Sequence, residues 1–200
     1  MIHELAQQLV DLIFAWGYLG IFIMMAIESS FIPFPSEIVL VPAGYLAAND
    51  EMSIGAIMAA ALGGSLVGAF VNYYLAMSLG RRFLLRYGKY FFIKEETLLK
   101  MEEYFKKHGH ISTFTGRLIP GVRQLISIPA GLAKMNLAEF TLFTLLGAGI
   151  WALILVLVGY FIGENQELIK AYLREITIIV FIVVVGLLLI YFRYHKKKDQ

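Results

Sequence analysis

Four charged residues interrupt otherwise apolar sequence, in two pairs of opposite sign. Glu28 and Glu37 flank Ser29-Ser30-Phe31-Ile32-Pro33-Phe34-Pro35-Ser36. Arg117 and Arg123 flank Leu118-Ile119-Pro120-Gly121-Val122. A guanidinium is a planar fork that holds an oxyanion through two parallel hydrogen bonds. A nearby carboxylate can balance that charge, or take up a proton when displaced. On an unbroken helix, Arg117 and Arg123 would stand roughly 120° from a common face. Pro120-Gly121 breaks the helix between them and lets both turn inward. Arg117, Arg123, Glu28 and Glu37 are therefore the candidate binding residues. Glu28 and Glu37 are also the candidates for proton coupling. Pro33, Pro35, Pro120 and Gly121 are the tips that shape the site. The plainer alternative is that these charges only fasten two segments together. Buried pairs rarely add stability on their own, which favours function.

What must position these residues is a membrane fold. The chain has 200 residues, 59% hydrophobic and 16% charged, with mean hydropathy +0.72. A soluble domain is nearer half apolar and a quarter charged. Charge-free stretches at 52–80, 140–163 and 176–192 read as transmembrane helices. About 20 residues span the hydrocarbon core. Stretches 38–49 and 124–133 are too short to cross and read as buried or re-entrant. Residues 1–11 hold no Lys or Arg, so they do not read as a signal peptide. Leu5, Leu9, Leu12 and Ile13 share a helical face there, as in an interfacial helix or the start of the first membrane helix. No cysteine is present, which excludes disulfides and thiol chemistry. His108-Gly109-His110 lacks acidic residues at ligand spacing, so it reads as a loop and no metal or cofactor is expected. Nothing resembles a nucleic-acid-binding motif.

Lys and Arg orient the spans. Eight lie in 81–107 (Arg81, Arg82, Arg86, Lys89, Lys94, Lys100, Lys106, Lys107), and the tail holds Arg193, Lys196, Lys197 and Lys198. Residues 164–175 hold Lys170 and Arg174 against three Glu. The positive-inside rule puts 81–107 and the C-terminus in the cytoplasm and 164–175 outside. Segment 108–136 must then enter and leave from the cytoplasmic side.

A repeat completes the architecture. Pro33 and Pro42-Ala43-Gly44 recur 87 residues later as Pro120 and Pro129-Ala130-Gly131. The same offset sets Ser36 against Arg123 and Glu37 against Gln124. If the second copy dips in from the cytoplasm, the first dips in from outside, with Asp50 and Glu51 outside. The fold expected is all-α and integral to the membrane. It is an inverted repeat of two re-entrant helical hairpins, each followed by a transmembrane helix, plus a C-terminal transmembrane helix. Residues 1–200 form one membrane domain. It comprises repeat one at about 12–80, a cytoplasmic amphipathic linker at 81–107, repeat two at about 108–163 and the helix 176–192. A full span over 12–32 ranks second. Within 94–107, Leu98, Met101 and Phe105 share a face expected to lie on the membrane surface. The small-residue patterns Gly64–Gly68 and Gly159–Gly163 read as helix packing inside the monomer. Asn72 reads as an interhelical hydrogen bond, and Trp151 as core packing.

Glu28-Ser-Ser-Phe-Ile-Pro-Phe-Pro-Ser-Glu37, Phe114-Thr-Gly-Arg117-Leu-Ile-Pro120-Gly121-Val-Arg123 and Ile128-Pro-Ala-Gly-Leu-Ala-Lys-Met135 resemble the DedA family, also called the VTT or SNARE-associated Golgi domain. The resemblance runs from about Trp16 to Gly163, and includes Tyr87-Gly-Lys-Tyr90 and the helix around Gly147 and Trp151. The chain departs from the family pattern at Ala152, where Asn is frequent, and near Ala76, where Gly is.

The resemblance implies a multi-pass protein of the bacterial cytoplasmic membrane that moves an anionic lipid or lipid phosphate between leaflets. Undecaprenyl phosphate and phospholipids are the substrates implied, with proton coupling. Membrane lipids, not nucleic acid, are the implied partners. By motif match Glu28, Glu37, Arg117 and Arg123 carry over as functional. Competing readings are a proton-coupled exporter of small cations or drugs and a non-transport scaffold supporting envelope integrity. Two arginines would repel a cation, which favours the anionic lipid. A lipid phosphatase is set aside, because no nucleophilic histidine or metal cluster is in sight. The chain is read as a non-enzyme.

Overall fold

The computed structural model describes residues 16–30, 35–80 and 95–162, together with 175, 178–186, 188–191 and 193. The regular elements are α1 (Trp16–Glu28), α2 (Glu37–Ala48), α3 (Ile54–Leu75), α4 (Glu95–Leu118), α5 (Ser127–Leu132), α6 (Leu137–Ile162) and α7 (Ile178–Tyr191). A π-helical turn, Ala76–Gly80, extends α3. All regular structure among the described residues is helical. Residues 1–15, Phe31 to Phe34 including Pro33, the basic stretch 81–94, loop 164–174 and Lys196 to Lys198 lie outside the described residues.

Local chemistry sets the helix ends. Asn136 caps α6, its Oδ1 accepting the backbone N–H groups of Ala138 and Glu139 at 2.9 and 3.3 Å. Ser53 takes extended backbone before α3, and its N–H donates to the Tyr18 hydroxyl at 2.8 Å. Ile54–Gly80 and Leu137–Phe161 are long and apolar enough to cross a bilayer. They match the stretches expected at 52–80 and 140–163. The apolar helix Ile178–Tyr191 falls within the third.

Each long helix buries one face and leaves the other apolar. On α3 the outer face shows Val67, Val71, Tyr74 and Leu75. On α6 it shows Leu142, Leu146, Ile150, Leu153 and Leu157. Their spacing of three and four residues makes continuous apolar stripes, far beyond what a water-soluble monomer exposes. Lipid is the solvent that suits such a surface.

Glycine sets how closely the helices approach. A Cβ on Gly44 of α2 would stand 2.1 Å from the Val156 carbonyl oxygen of α6. A Cβ on Gly131 of α5 would stand 2.2 Å from the Tyr73 carbonyl oxygen of α3. Gly64 and Gly68 receive the backbone of Phe22, Ala26 and Ser29 in the same way, and Gly159 receives Val41. The small-residue patterns therefore serve packing within the chain; Gly163 lies outside the described residues. One core gathers Ile21, Met25, Leu40, Trp151 and Leu155, and a second gathers Tyr73, Phe105, Ile126 and Phe140.

Two expectations need correction. His108 to His110 is not a loop. Helix α4 runs through it, with one kink at His108 (φ −127°, ψ 15°). No proline stops the helix there, and His108 Nδ1 lies 2.8 Å from the Tyr191 hydroxyl of α7. Nor does the stripe of Met101 and Phe105 lie on a membrane surface. Phe105 is buried in the second core with Met101 packed against it. Phe105 and Met101 share that core with Tyr73, Ala133 and Met135, so this part of the α4 face packs against protein.

Candidate functional site

The charged residues lie at two of the breaks in the helical path, after Glu28 and after Leu118. Pro120 and Gly121 sit exposed in the second break, with Gly121 at φ +80°, a backbone region open to glycine. Pro35 sits exposed at the end of the first. The breaks meet on Asn72, which is fully buried in α3. Its Nδ2 donates to the Ser29 carbonyl at 3.2 Å and to the Gln124 carbonyl at 3.1 Å. This is the interhelical role expected of Asn72. It also satisfies two backbone oxygens at the breaks.

Arg123 crosses from the second break to the first. Its Nη2 lies 2.8 Å from Glu28 Oε1 and donates to Ser36 Oγ at 2.8 Å. Its guanidinium carbon stands 5.4 Å from the ring centre of Trp151, within cation–π range. Ser29 Oγ–H donates to the other Glu28 oxygen at 3.0 Å. Glu28 and Arg123 are 3% and 8% exposed, so this pair is shielded from screening by water.

Arg117 is placed differently. It ends α4, 3% exposed, with Gly147 of α6 beneath it. A Cβ on Gly147 would come within 2.6 Å of the Arg117 Cβ. Nη2 of Arg117 donates to Ser127 Oγ at 2.7 Å, while its Nε has no hydrogen-bond partner. No carboxylate lies within ion-pair distance of it among the described residues. Glu37 stands half-buried in the first turn of α2, where the helix dipole favours a carboxylate, and makes no ion pair among the described residues.

A small cavity of roughly 20 Å³ joins these groups. It is lined by Glu28, Ser29, Ser65, Arg117, Arg123 and Trp151, with Met25, Ala148 and Ala152 as apolar neighbours. That is room for about one water molecule. Two guanidinium groups and one carboxylate leave the cluster formally one charge positive.

The structure thus brings Glu28, Arg117 and Arg123 together, and leaves Glu37 beside them. Sequence reasoning set Ser36 against Arg123 by the repeat offset and placed Trp151 in the core, and both hold; it missed Ser127 and the contact of Trp151 with Arg123. Ser127 carries no sequence signal, since its role depends on how α4 meets α5. Trp151 carried one, four residues after Gly147 on a helix matched to the family, but it was assigned to packing alone.

Comparison with known proteins places the chain. A family model described as "VTT domain" matches residues 34–161. The "Uncharacterized membrane protein YkoX" of Bacillus subtilis is 38% identical over 200 residues, covering 100% of this chain and 88% of that protein. The "Alkaline phosphatase-like protein" of Lactococcus lactis subsp. lactis is 38% identical over 180 residues, covering 88% of this chain and 84% of that one. The "Undecaprenyl phosphate transporter A" of Bacillus subtilis is 35% identical over 194 residues, covering 94% and 96%. No solved structure matches the chain. With the motifs, the apolar helices and these relatives in agreement, the chain belongs to the VTT domain, or DedA, family of membrane proteins.

Proposed function

We propose that this protein carries an anionic lipid phosphate between the leaflets of a bacterial cytoplasmic membrane, with undecaprenyl phosphate as the leading substrate. The observation that carries the reading is Arg117, a buried guanidinium whose hydrogen-bond partner is a neutral serine and which makes no ion pair among the described residues. A charge at membrane depth costs a few kcal/mol or more unless something balances it. A phosphate would balance it. Arg123 would join the clamp once Glu28 releases it, and a proton taken up by Glu28 would favour that release. A relative at 35% identity carries the name of an undecaprenyl phosphate transporter, which supports the choice of substrate.

The inverted repeat of two re-entrant hairpins is the architecture we assign to this cycle. Gly44 and Gly131 are 87 residues apart and each seats a Pro-Ala-Gly helix on a long helix of the other half. Arg123 and Ser36, at the same offset, share a hydrogen bond. Such symmetry would let the site open to either face in turn. In this assignment Glu51 is outside, and Lys107 and the C-terminus are cytoplasmic. We take the protein to be a carrier and not an enzyme. Neither His108 nor His110 lines the cavity, and His108 is engaged with Tyr191.

The test is purified protein in liposomes with a fluorescent polyprenyl phosphate, scored for leaflet exchange and for released phosphate. Exchange without release is the expected result; release without exchange would replace the carrier with a phosphatase. Single cysteines at 51 and 107, labelled by an impermeant reagent, should react from opposite sides. Labelling from one side would remove the inverted repeat.

A further inference from the structure

The cavity holds a second donor without a partner. Trp151 lines it, is 3% exposed, and its indole Nε1–H makes no hydrogen bond. Burying such a group unpaired is costly, and Phe would pack a core without that cost. The ring packs in the first core and faces the Arg123 guanidinium at 5.4 Å, and another aromatic ring could also do that. The N–H is what only tryptophan adds.

The remaining groups show what it is for. Arg117 Nε is likewise buried and unpartnered at the same cavity. Arg123, by contrast, already engages Glu28 and Ser36. Glu28 Oε1 also makes no hydrogen bond there, but it already faces the Arg123 cation at 2.8 Å. Two idle donors beside a cluster with one excess positive charge therefore suit an added anion.

The geometry points to Trp151 as a ligand of the phosphate group, its Nε1–H donating to one oxygen while Arg117 Nε–H donates to another. The inference rests on the lipid-phosphate reading and adds a neutral third contact to it. The order of events follows. Phosphate first meets Arg117 and Trp151, whose donors are idle. Arg123 joins when Glu28 lets go, and swings on the same indole face. The cavity is water-sized, so the headgroup must widen it, and release of Arg123 from Ser36 would provide that room. Free phosphate and a lipid headgroup offer the same oxyanion, and the test separates them.

The chain has two tryptophans, Trp16 and Trp151. Trp16 is half exposed at the start of α1, away from the cavity lining. A Trp16→Phe protein labelled with ¹⁵N-indole therefore gives one indole resonance, from Trp151. In detergent, farnesyl phosphate should shift that resonance, and farnesol should not. Inorganic phosphate shifting it at comparable concentration would make the ligand a free anion and not a lipid headgroup. In parallel, calorimetry should show Trp151→Phe binding farnesyl phosphate roughly tenfold or more weakly, the usual worth of a hydrogen bond to a charged group. If farnesyl phosphate binds, and folded Trp151→Phe binds it as tightly as the parent, Trp151 is not a ligand and the carrier reading stands. A resonance that stays fixed while the ligand binds has the same meaning. If the folded parent binds no farnesyl phosphate at all, both readings fall.

Discussion

Two helix starts in this protein receive an arginine, and they are not equivalent. At the start of α2, Ser36 accepts from Arg123. At the start of α5, Ser127 accepts from Arg117. Both helices carry Pro-Ala-Gly, and both press the glycine onto a neighbouring backbone. A cation beside a helix N-terminus is opposed by the helix dipole, so each arginine needs compensation. Arg123 has it in Glu28 and the Trp151 ring. Arg117 does not. One arginine therefore ties the two breaks together, and the other holds charge in reserve. Two residues that look alike in sequence differ in that one is ion-paired and the other is not.

The largest effects should come from separating those roles. Arg123→Ala leaves Glu28 buried without its partner, a loss of roughly 3–5 kcal/mol where such pairs are fully buried. Arg117→Ala breaks no ion pair and should cost far less stability. Both should abolish lipid phosphate transport, and Arg117→Lys should fail nearly as badly, because a point charge lacks the planar fork. Thermal unfolding in detergent, read beside liposome exchange, checks both halves. Equal destabilisation by the two alanines would erase the distinction. A folded Arg117→Lys or Arg123→Lys that transports as the parent does would remove the clamp.

The paired glycines offer the next break. Alanine at Gly44 or Gly131 places a methyl about 2.1 or 2.2 Å from a carbonyl oxygen of the facing helix, where only backbone could yield. Each should destabilise by about 1–3 kcal/mol, in the range of an overpacked core. Gly149→Ala is the control, since its nearest neighbour is a flexible Leu62 methyl at 3.6 Å, ordinary contact distance. A melting series across the three variants should rank Gly44 and Gly131 together and Gly149 near the parent.

Asn72 joins the two breaks without charge. Asn72→Ala frees the Ser29 and Gln124 carbonyls inside the membrane and should cost about 1–3 kcal/mol. Because those residues flank Glu28 and Arg123, exchange should slow by more than the stability loss explains. Measuring transport at a temperature where the variant is fully folded isolates that effect. An unchanged rate there would show that Asn72 only supports the fold.

Much of this arrangement was legible in the sequence, for identifiable reasons. Uncharged runs of sufficient length leave one reading for α3 and α6. The 87-residue offset was visible because proline and glycine have few substitutes where a helix breaks or two backbones touch. Charges of opposite sign at the two breaks suggested that the breaks meet, and the offset set Arg123 against Ser36; that Glu28 is the paired glutamate came from the structure. What the sequence withheld depends on distance across the fold. The apolar stripe of α4 has the same spacing whether it faces lipid or Tyr73 and Met135. Ser127 looks like any serine until Arg117 is placed beside it. Trp151 satisfies a packing pattern whether or not its N–H has a partner.

The smallest expected effect concerns the two glutamates, which sequence reasoning treated alike. Glu28 is 3% exposed and bound to Arg123. Glu37 is half-buried in the first turn of α2 without an ion pair among the described residues. Glu37→Gln should forfeit only the dipole interaction, about 0.3–1 kcal/mol. Glu28→Gln leaves Arg123 without its counter-charge and should lower the melting temperature more. The pair also separates the proton hypothesis. A carboxylate that must release Arg123 is the one whose protonation helps transport, so Glu28→Gln should make exchange insensitive to a pH gradient. Glu37→Gln should keep that sensitivity. Liposome exchange under imposed gradients, acid outside and acid inside, measures both variants. If Glu28→Gln responds to the gradient as the parent does, Glu28 is a fixed counter-ion. If Glu37→Gln alone loses the response, the proton enters at the helix start, and the two glutamates exchange the roles assigned here.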